Sequence, residues 1–153
     1  MSSGHWHHHE KHFCWTARGV HIAALFGVVM WIPAQASVMV QIDKSAQRGS
    51  VSVDGVTRYN WPVSTGRDGY GTSSGTYHPQ AMMGSYFSRK YYIAPMPHAI
   101  FYYGFAIHGT SDISRLGGPA SQGCVRLHPS NAATLFSLIQ DDGARNTTIE
   151  ISN

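Results

Sequence analysis

The chain has 153 residues, enough for one ordinary domain and little more. Its formal charge is +3 with only 12% of residues charged, a mild excess that does not point to a polyanionic partner. No arginine-lysine run, zinc-ligand spacing or stacked aromatic pattern recommends nucleic-acid binding.

In chain order, Lys11 and Arg18 precede the apolar stretch Gly19 to Ile32, and Pro33 and Ala34-Gln35-Ala36 follow it. That is the order of a signal peptide, with a basic lead, a short apolar core and a small-x-small cleavage site. The core falls short of the roughly 20 apolar residues of a comfortable membrane span. The expectation is a leader over 1–36, cleaved after Ala36, and an exported domain over 37–153; an uncleaved N-terminal anchor is the alternative, and the only membrane contact expected. The histidines of 5–12 belong to this leader and read as no metal site. Cys14 also falls there, before the apolar core, whereas a lipid-modified cysteine would follow it. Cys124 is then the single cysteine of the exported domain, and an unpaired cysteine in an exported protein suggests a partner chain or a reactive thiol.

Alternation in Val38 to Ile42 and in Ser50 to Val53 predicts two strands around a polar turn at 43–49. Asp54-Gly55 marks the next turn, and Val56 to Val63 the next extended run. Ser64 to Tyr77 is rich in Gly, Ser and Thr but bracketed by Trp61 and Tyr77, which favours a structured hairpin loop over disorder. Gly84 to Ile93 and Ala99 to Ile107 carry the aromatic and β-branched residues of strands, with Pro95 and Pro97 in the loop between them. One helix is expected at Asn131 to Ile139, where Ala132, Leu135, Phe136 and Ile139 fall on one face, Ser130 caps the start and Asp142-Gly143 ends it. Thr147 to Ile151 reads as a closing strand. The exported domain is therefore mostly β, with one short helix near its end.

The chemistry concentrates in His108-Gly109-Thr110, a glycine-rich loop, and Ser121-Gln122-Gly123-Cys124-Val125-Arg126-Leu127. A thiol attacks as thiolate, and an imidazole within hydrogen-bond reach produces that state near neutral pH. The sixteen-residue spacing permits a dyad of Cys124 and His108 without proving one. Glycines at 109 and 123 let backbone approach a substrate or take turn dihedrals. Amides near Gly123 and Cys124 suit an oxyanion hole, with Ser121 and Gln122 in the same loop. Arg126, two positions from the cysteine, shares its face in an extended chain, and a guanidinium fork suits a substrate carboxylate; a structural salt bridge is its alternative. Gly109 and Thr110 are further substrate-side candidates. His78, His98 and His128 read as structural or exposed. No tight ligand pair supports a zinc site, and no cofactor is implied.

These two motifs resemble the L,D-transpeptidase (YkuD-type) catalytic domain family, whose signature pairs a His-Gly with an S-x-G-C-[IV]-R element. The likeness extends to Pro62-Val63-Ser64-Thr65-Gly66 and Met96-Pro97, and covers nearly all of 37–153. It implies a β-sandwich-like fold with a short helix after the catalytic loop. It also implies a transferase of cell wall biogenesis, located in the periplasm or cell envelope. Its substrates would be peptidoglycan stem peptides: the nucleophile Cys124 would form a thioester, release D-alanine, and pass the acyl group to an amine. A stem diamino acid as acceptor gives a 3-3 cross-link, and an envelope protein as acceptor becomes attached to the wall. The resemblance makes His108 the base, Gly123 part of the oxyanion region, Arg126 a substrate-orienting residue and Ser121 a loop-ordering one.

Two departures stand out. Gln122 replaces a histidine common before the Gly-Cys pair, and glutamine exchanges no proton near neutral pH. Ser73 replaces a proline in Thr72-Ser73-Ser74-Gly75-Thr76-Tyr77, which should loosen that loop. Two rival functions remain: a hydrolase on the same fold, with water resolving the thioester, and a non-catalytic wall-binding protein. A papain-like order is disfavoured, since there the cysteine precedes the histidine and sits on a helix.

Overall fold

The computed structural model describes residues 37–153; the expected leader, with Cys14 and the histidines of 5–12, lies outside the described residues. Alternation in Val38–Asp43 (β1) turns Val38, Val40 and Ile42 into the core and leaves Met39 and Gln41 outside. Arg48–Val53 (β2) pairs antiparallel with β1, and Val56–Pro62 (β3) with β2, the register slipping between Val51 and Ser52. On its other side β1 pairs in parallel with Thr147–Ser152 (β11), which pairs antiparallel with Gly75–Tyr77 (β4). The first sheet thus runs β3-β2-β1-β11-β4.

The second sheet contains Ala81–Met83 (β5), Ala99–Tyr102 (β8), Phe105–Gly109 (β9) and Val125–Leu127 (β10), in the order β10-β9-β8-β5. Ile100, Tyr102, Ile107, Val125 and Leu127 from this sheet meet Val38, Val40, Val51, Ile149 and Ile151 from the first in one buried cluster. The helix Pro129–Asp142 (α1) adds Ala132, Leu135 and Ile139, all fully buried, to the same core. The fold is mostly β, as expected, with one α-helix among the described residues. None of the described helices is long and apolar enough to cross a membrane.

Three expected elements differ in detail. The run Ala99 to Ile107 is not one strand but the β8–β9 hairpin. Tyr103 and Gly104 both take positive φ (40° and 77°), as a two-residue hairpin turn requires. Gly84 to Ile93 contributes only Phe87–Ser88 (β6), paired with Ala94–Pro95 (β7) around a single 3-10 turn. Its Phe87, Tyr92 and Ile93 face solvent, while Tyr86 packs edge-on against Phe101. The helix begins earlier than expected, and its cap is His128 rather than Ser130: Nδ1 of His128 accepts from the Ser130 N–H at 3.3 Å. Pro129 then occupies the first helical position, where its fixed φ fits and no N–H is missed.

Candidate active site

Parallel strands need a long crossover, and the one between β9 and β10 is the loop 110–124 that carries the cysteine motif. The β9–β10 register pairs Ile107 with Val125 and His108 with Arg126. Ile107, Val125 and Leu127 point into the core, so Ala106, His108, Cys124 and Arg126 project from the opposite face. Cys124 therefore falls beside Ala106, diagonally across from His108, and both side chains line one cleft of about 220 Å³ together with Arg126, Ser121 and Gln122. A second cleft, of about 390 Å³, meets the first at Cys124 and Gln122. It is lined by Tyr70, Tyr86, Phe101 and Phe105, with Lys90 at its edge, and contains neither His108 nor Arg126. The β6–β7 hairpin roofs both clefts through Ser88, and Met96 just beyond it lines both as well.

The crossover loop is stitched to the segment after β3. Ser64 and Arg126 exchange both backbone hydrogen bonds (3.0 and 2.8 Å). The Ala120 and Ser121 N–H groups donate to the Thr65 carbonyl at 3.0 and 2.9 Å, and Arg67 N–H donates to Ser121 O at 3.0 Å. Thr65 is itself held by the buried Gln47, whose amide donates to Thr65 Oγ1 at 2.7 Å and accepts from the Thr65 N–H at 3.0 Å. Thr72 ties a third segment in: its Oγ1 accepts from Gly66 N–H and donates to the Gly123 carbonyl, both at 2.8 Å. The loop that lacks the common proline is thus pinned one residue earlier, through Thr72.

At the turn itself, Ser121 Oγ donates to the Cys124 carbonyl (2.5 Å) and accepts from the Gly123 N–H (3.1 Å). Gly123 has φ +114°, and a Cβ there would lie 2.5 Å from Phe105 Cε1. Its N–H and carbonyl are both hydrogen-bonded within the loop, so Gly123 shapes the turn. Gly109 and Thr110 line neither cleft. The Gly109 N–H donates to Pro97 O (2.9 Å) and a Cβ would crowd Pro97 and Pro129. Thr110 N–H donates to Leu127 O (2.9 Å), and its hydroxyl accepts from Asp112 N–H (3.1 Å). Both tie the end of β9 to its neighbours.

His108 is buried, and its Nδ1–H donates to the Gly109 carbonyl at 2.7 Å. Burial pushes its pKa down to about 4; the bond to Gly109 opposes the shift and the Arg126 charge adds to it. Burial also pushes the Cys124 thiol above its ordinary value, against the Ala106 backbone and the charges of Arg126 and Lys90. Thiol and imidazole are therefore both neutral at rest. The Arg126 guanidinium lies 3.9 Å from Asp112 Oδ2. His78, His98 and His128 line neither cleft: His78 donates to Thr147 O (2.7 Å), His98 packs edge-on to Phe136, and His128 caps α1. Among the described residues, no three His, Cys, Asp or Glu side chains gather as a metal site.

Sequence reasoning missed Gln47, Ser64, Thr65 and the role of Thr72 in holding the loop. Their only signal was the Thr-Gly pair and the bracketing aromatics of a polar segment.

The family model for the L,D-transpeptidase catalytic domain (YkuD) matches residues 37–151. A comparison with curated proteins finds no match. Among solved structures, the chain is similar to an L,D-transpeptidase from Mycobacterium smegmatis, with TM-score 0.68 and 24% identity over 77% of this chain and 59% of that one. It is similar to an L,D-transpeptidase from Stackebrandtia nassauensis, with TM-score 0.66 and 26% identity over 76% and 56%. A third is L,D-transpeptidase 3 from Mycobacterium tuberculosis, in complex with a faropenem-derived adduct, with TM-score 0.67 and 18% identity over 77% and 61%. The chain thus spans less than two thirds of the length of these relatives.

Proposed function

The chain belongs to the L,D-transpeptidase catalytic domain family, and from that premise we propose that it is an exported cysteine acyltransferase of the cell envelope acting on peptidoglycan stem peptides. The observation that carries this reading is the position of Cys124 where two clefts meet, with His108 and Arg126 on one of them only.

The chemistry follows from that asymmetry. Cys124 Sγ attacks the carbonyl before the terminal D-alanine as His108 Nε2 takes the thiol proton. The imidazolium then hands this proton to the departing amine, so the leaving D-alanine belongs in the smaller cleft beside His108. Arg126 suits its carboxylate there. The acyl part, now a thioester on Cys124, extends into the larger aromatic cleft. The acceptor amine enters where D-alanine left, gives its proton to His108 and attacks the thioester, which returns the cysteine. With Gly123 committed, the Cys124 amide is the oxyanion donor of this scheme. A stem diamino acid or an envelope protein serves as acceptor.

The test is mass spectrometry of muropeptides incubated with the full chain and with Cys124→Ala. A dimer lighter than two tetrapeptides by one D-alanine, absent with the variant, is the expected result. Tripeptide without dimer would make the protein a hydrolase, and no product with either would leave attachment to an envelope protein or an inactive domain. A penem or carbapenem should leave a covalent adduct on Cys124 and none on Cys124→Ala, read by intact mass.

A further inference from the structure

The crossover loop places a carboxylate beside the one arginine of the smaller cleft. Asp112 Oδ2 stands 3.9 Å from Arg126 Nη1 and 3.4 Å from Arg115 Nε. The three side chains differ in exposure: 25% for Arg126, 43% for Asp112 and 65% for Arg115. Asp112 is positioned by its own loop, since its N–H donates to Thr110 Oγ1 (3.1 Å) and its Oδ1 accepts from the Ser114 hydroxyl (3.4 Å). Arg126 comes from the other strand, β10, and reaches the cleft wall. At 3.9 Å the pair is ionic without a direct hydrogen bond, so the donors of the guanidinium fork are not consumed by Asp112.

A carboxylate bound by Arg126 must therefore sit near a second carboxylate. Like charges sharing one cation repel, and Asp112 offsets part of the attraction that Arg126 exerts on an incoming anion. Resting on the reading of Arg126 as carboxylate anchor, we propose that Asp112 is a specificity-determining residue. It competes with the substrate's terminal carboxylate for Arg126, and so moderates the preference of the leaving-group cleft for an anionic over a neutral chain end.

The experiment is calorimetric titration of the full chain carrying Cys124→Ala, which binds without turnover. The probes are a stem tetrapeptide with a free terminal carboxylate and the same peptide as its terminal carboxamide. Asp112→Asn keeps the Oδ1 acceptor for Ser114 and removes the charge. It should raise the carboxylate-over-carboxamide affinity ratio about two- to fivefold, the reach of one partly exposed charge. The carboxamide affinity should stay put, and the gain should shrink at about 0.5 M salt. An unchanged ratio, or a lowered one as expected if Asp112 merely orients Arg126, would overturn the proposal. Arg126→Gln separates the two claims, because it should abolish the preference. A parent with no preference, or one that survives Arg126→Gln, removes the anchor and the proposal with it. A preference lost with Arg126→Gln but untouched by Asp112→Asn removes the proposal alone.

Discussion

The Nδ1–H of His108 donates to the carbonyl of Gly109 at 2.7 Å. A carbonyl only accepts, so the proton of the neutral ring sits on Nδ1 and the lone pair on Nε2. Burial, with the Arg126 charge adding to it, pushes the pKa of this imidazole from 6.5 down to about 4. The basic form is then nearly fully populated at neutral pH. The acid limb of kcat/KM should have its midpoint near pH 4, measured as a pH profile of thioester formation by the full chain. A midpoint at the ordinary histidine value would mean that the ring does not act from this buried position.

The same shift links stability to pH. The folded pKa of His108 lies below the unfolded one, so between pH 6.5 and 4 the unfolded chain binds a proton that the folded chain refuses. The stabilising effect is complete above pH 6.5 and lost as pH falls through 4, with an upper bound of roughly 3 kcal/mol. His108→Gln should flatten urea-unfolding stability over this window relative to the parent. Parallel curves for the two proteins would show that another group controls the acid limb.

Burial holds the Cys124 proton on sulfur at rest, the Ala106 backbone and the charges of Arg126 and Lys90 reducing the effect without reversing it. Thiolate absorbance near 240 nm should therefore be missing at pH 7 and emerge only above the ordinary thiol range. Alkylation by iodoacetamide at pH 7 should be slow, whereas a bound acyl donor, which brings His108 into play, should react quickly. His108→Ala should slow that acylation by about 10²- to 10⁴-fold, with circular dichroism unchanged.

The strands β1, β2, β3 and β11 were readable because each alternates or is bounded by turn residues, and the core positions of α1 followed from their helical spacing. The motifs around His108 and Cys124 stand out in the sequence, and the structure brings both side chains to one cleft. The register that sets Arg126 beside His108 was not, since it depends on pairing two strands across a 15-residue crossover with no periodicity of its own. Thr65 and Thr72 look like surface residues of a Gly, Ser and Thr-rich loop. They are buried because loop backbone must find partners, and the partners come from residues about fifty positions away. The exposed hairpin at 87–95 misled for the converse reason. Its Tyr92 lines the smaller cleft and its Phe87 faces solvent, and neither fills a core.

Gly123 and Gly117 separate two costs of adding a side chain. Both have positive φ (+114° and +92°), but a Cβ at Gly117 meets nothing within 4 Å, while one at Gly123 runs into the Phe105 ring. Gly117→Ala should lose about 1 kcal/mol for the backbone conformation alone. Gly123→Ala should lose about 1–3 kcal/mol more for the overpacking, and displace Cys124 from the junction of the clefts. Thermal unfolding of both variants gives the comparison. Equal losses would mean that Phe105 moves aside without cost.

Thr72→Val tests what holds the Cys124 loop. The substitution keeps the shape and removes the hydroxyl, so the Gly66 N–H loses its acceptor and the Gly123 carbonyl its donor. Because Thr72 is buried, water replaces neither partner easily, and a loss of about 2 kcal/mol is expected in chemical unfolding. Thr72→Ser keeps both bonds and should stay near the parent. The two variants should also divide in rate: Gly123 adjoins Cys124, so a slackened turn in Thr72→Val should slow acylation while Thr72→Ser does not. If Thr72→Val loses stability yet acylates at the parental rate, the paired hydrogen bonds of Ser64 with Arg126 suffice to position Cys124, and Thr72 serves the fold alone.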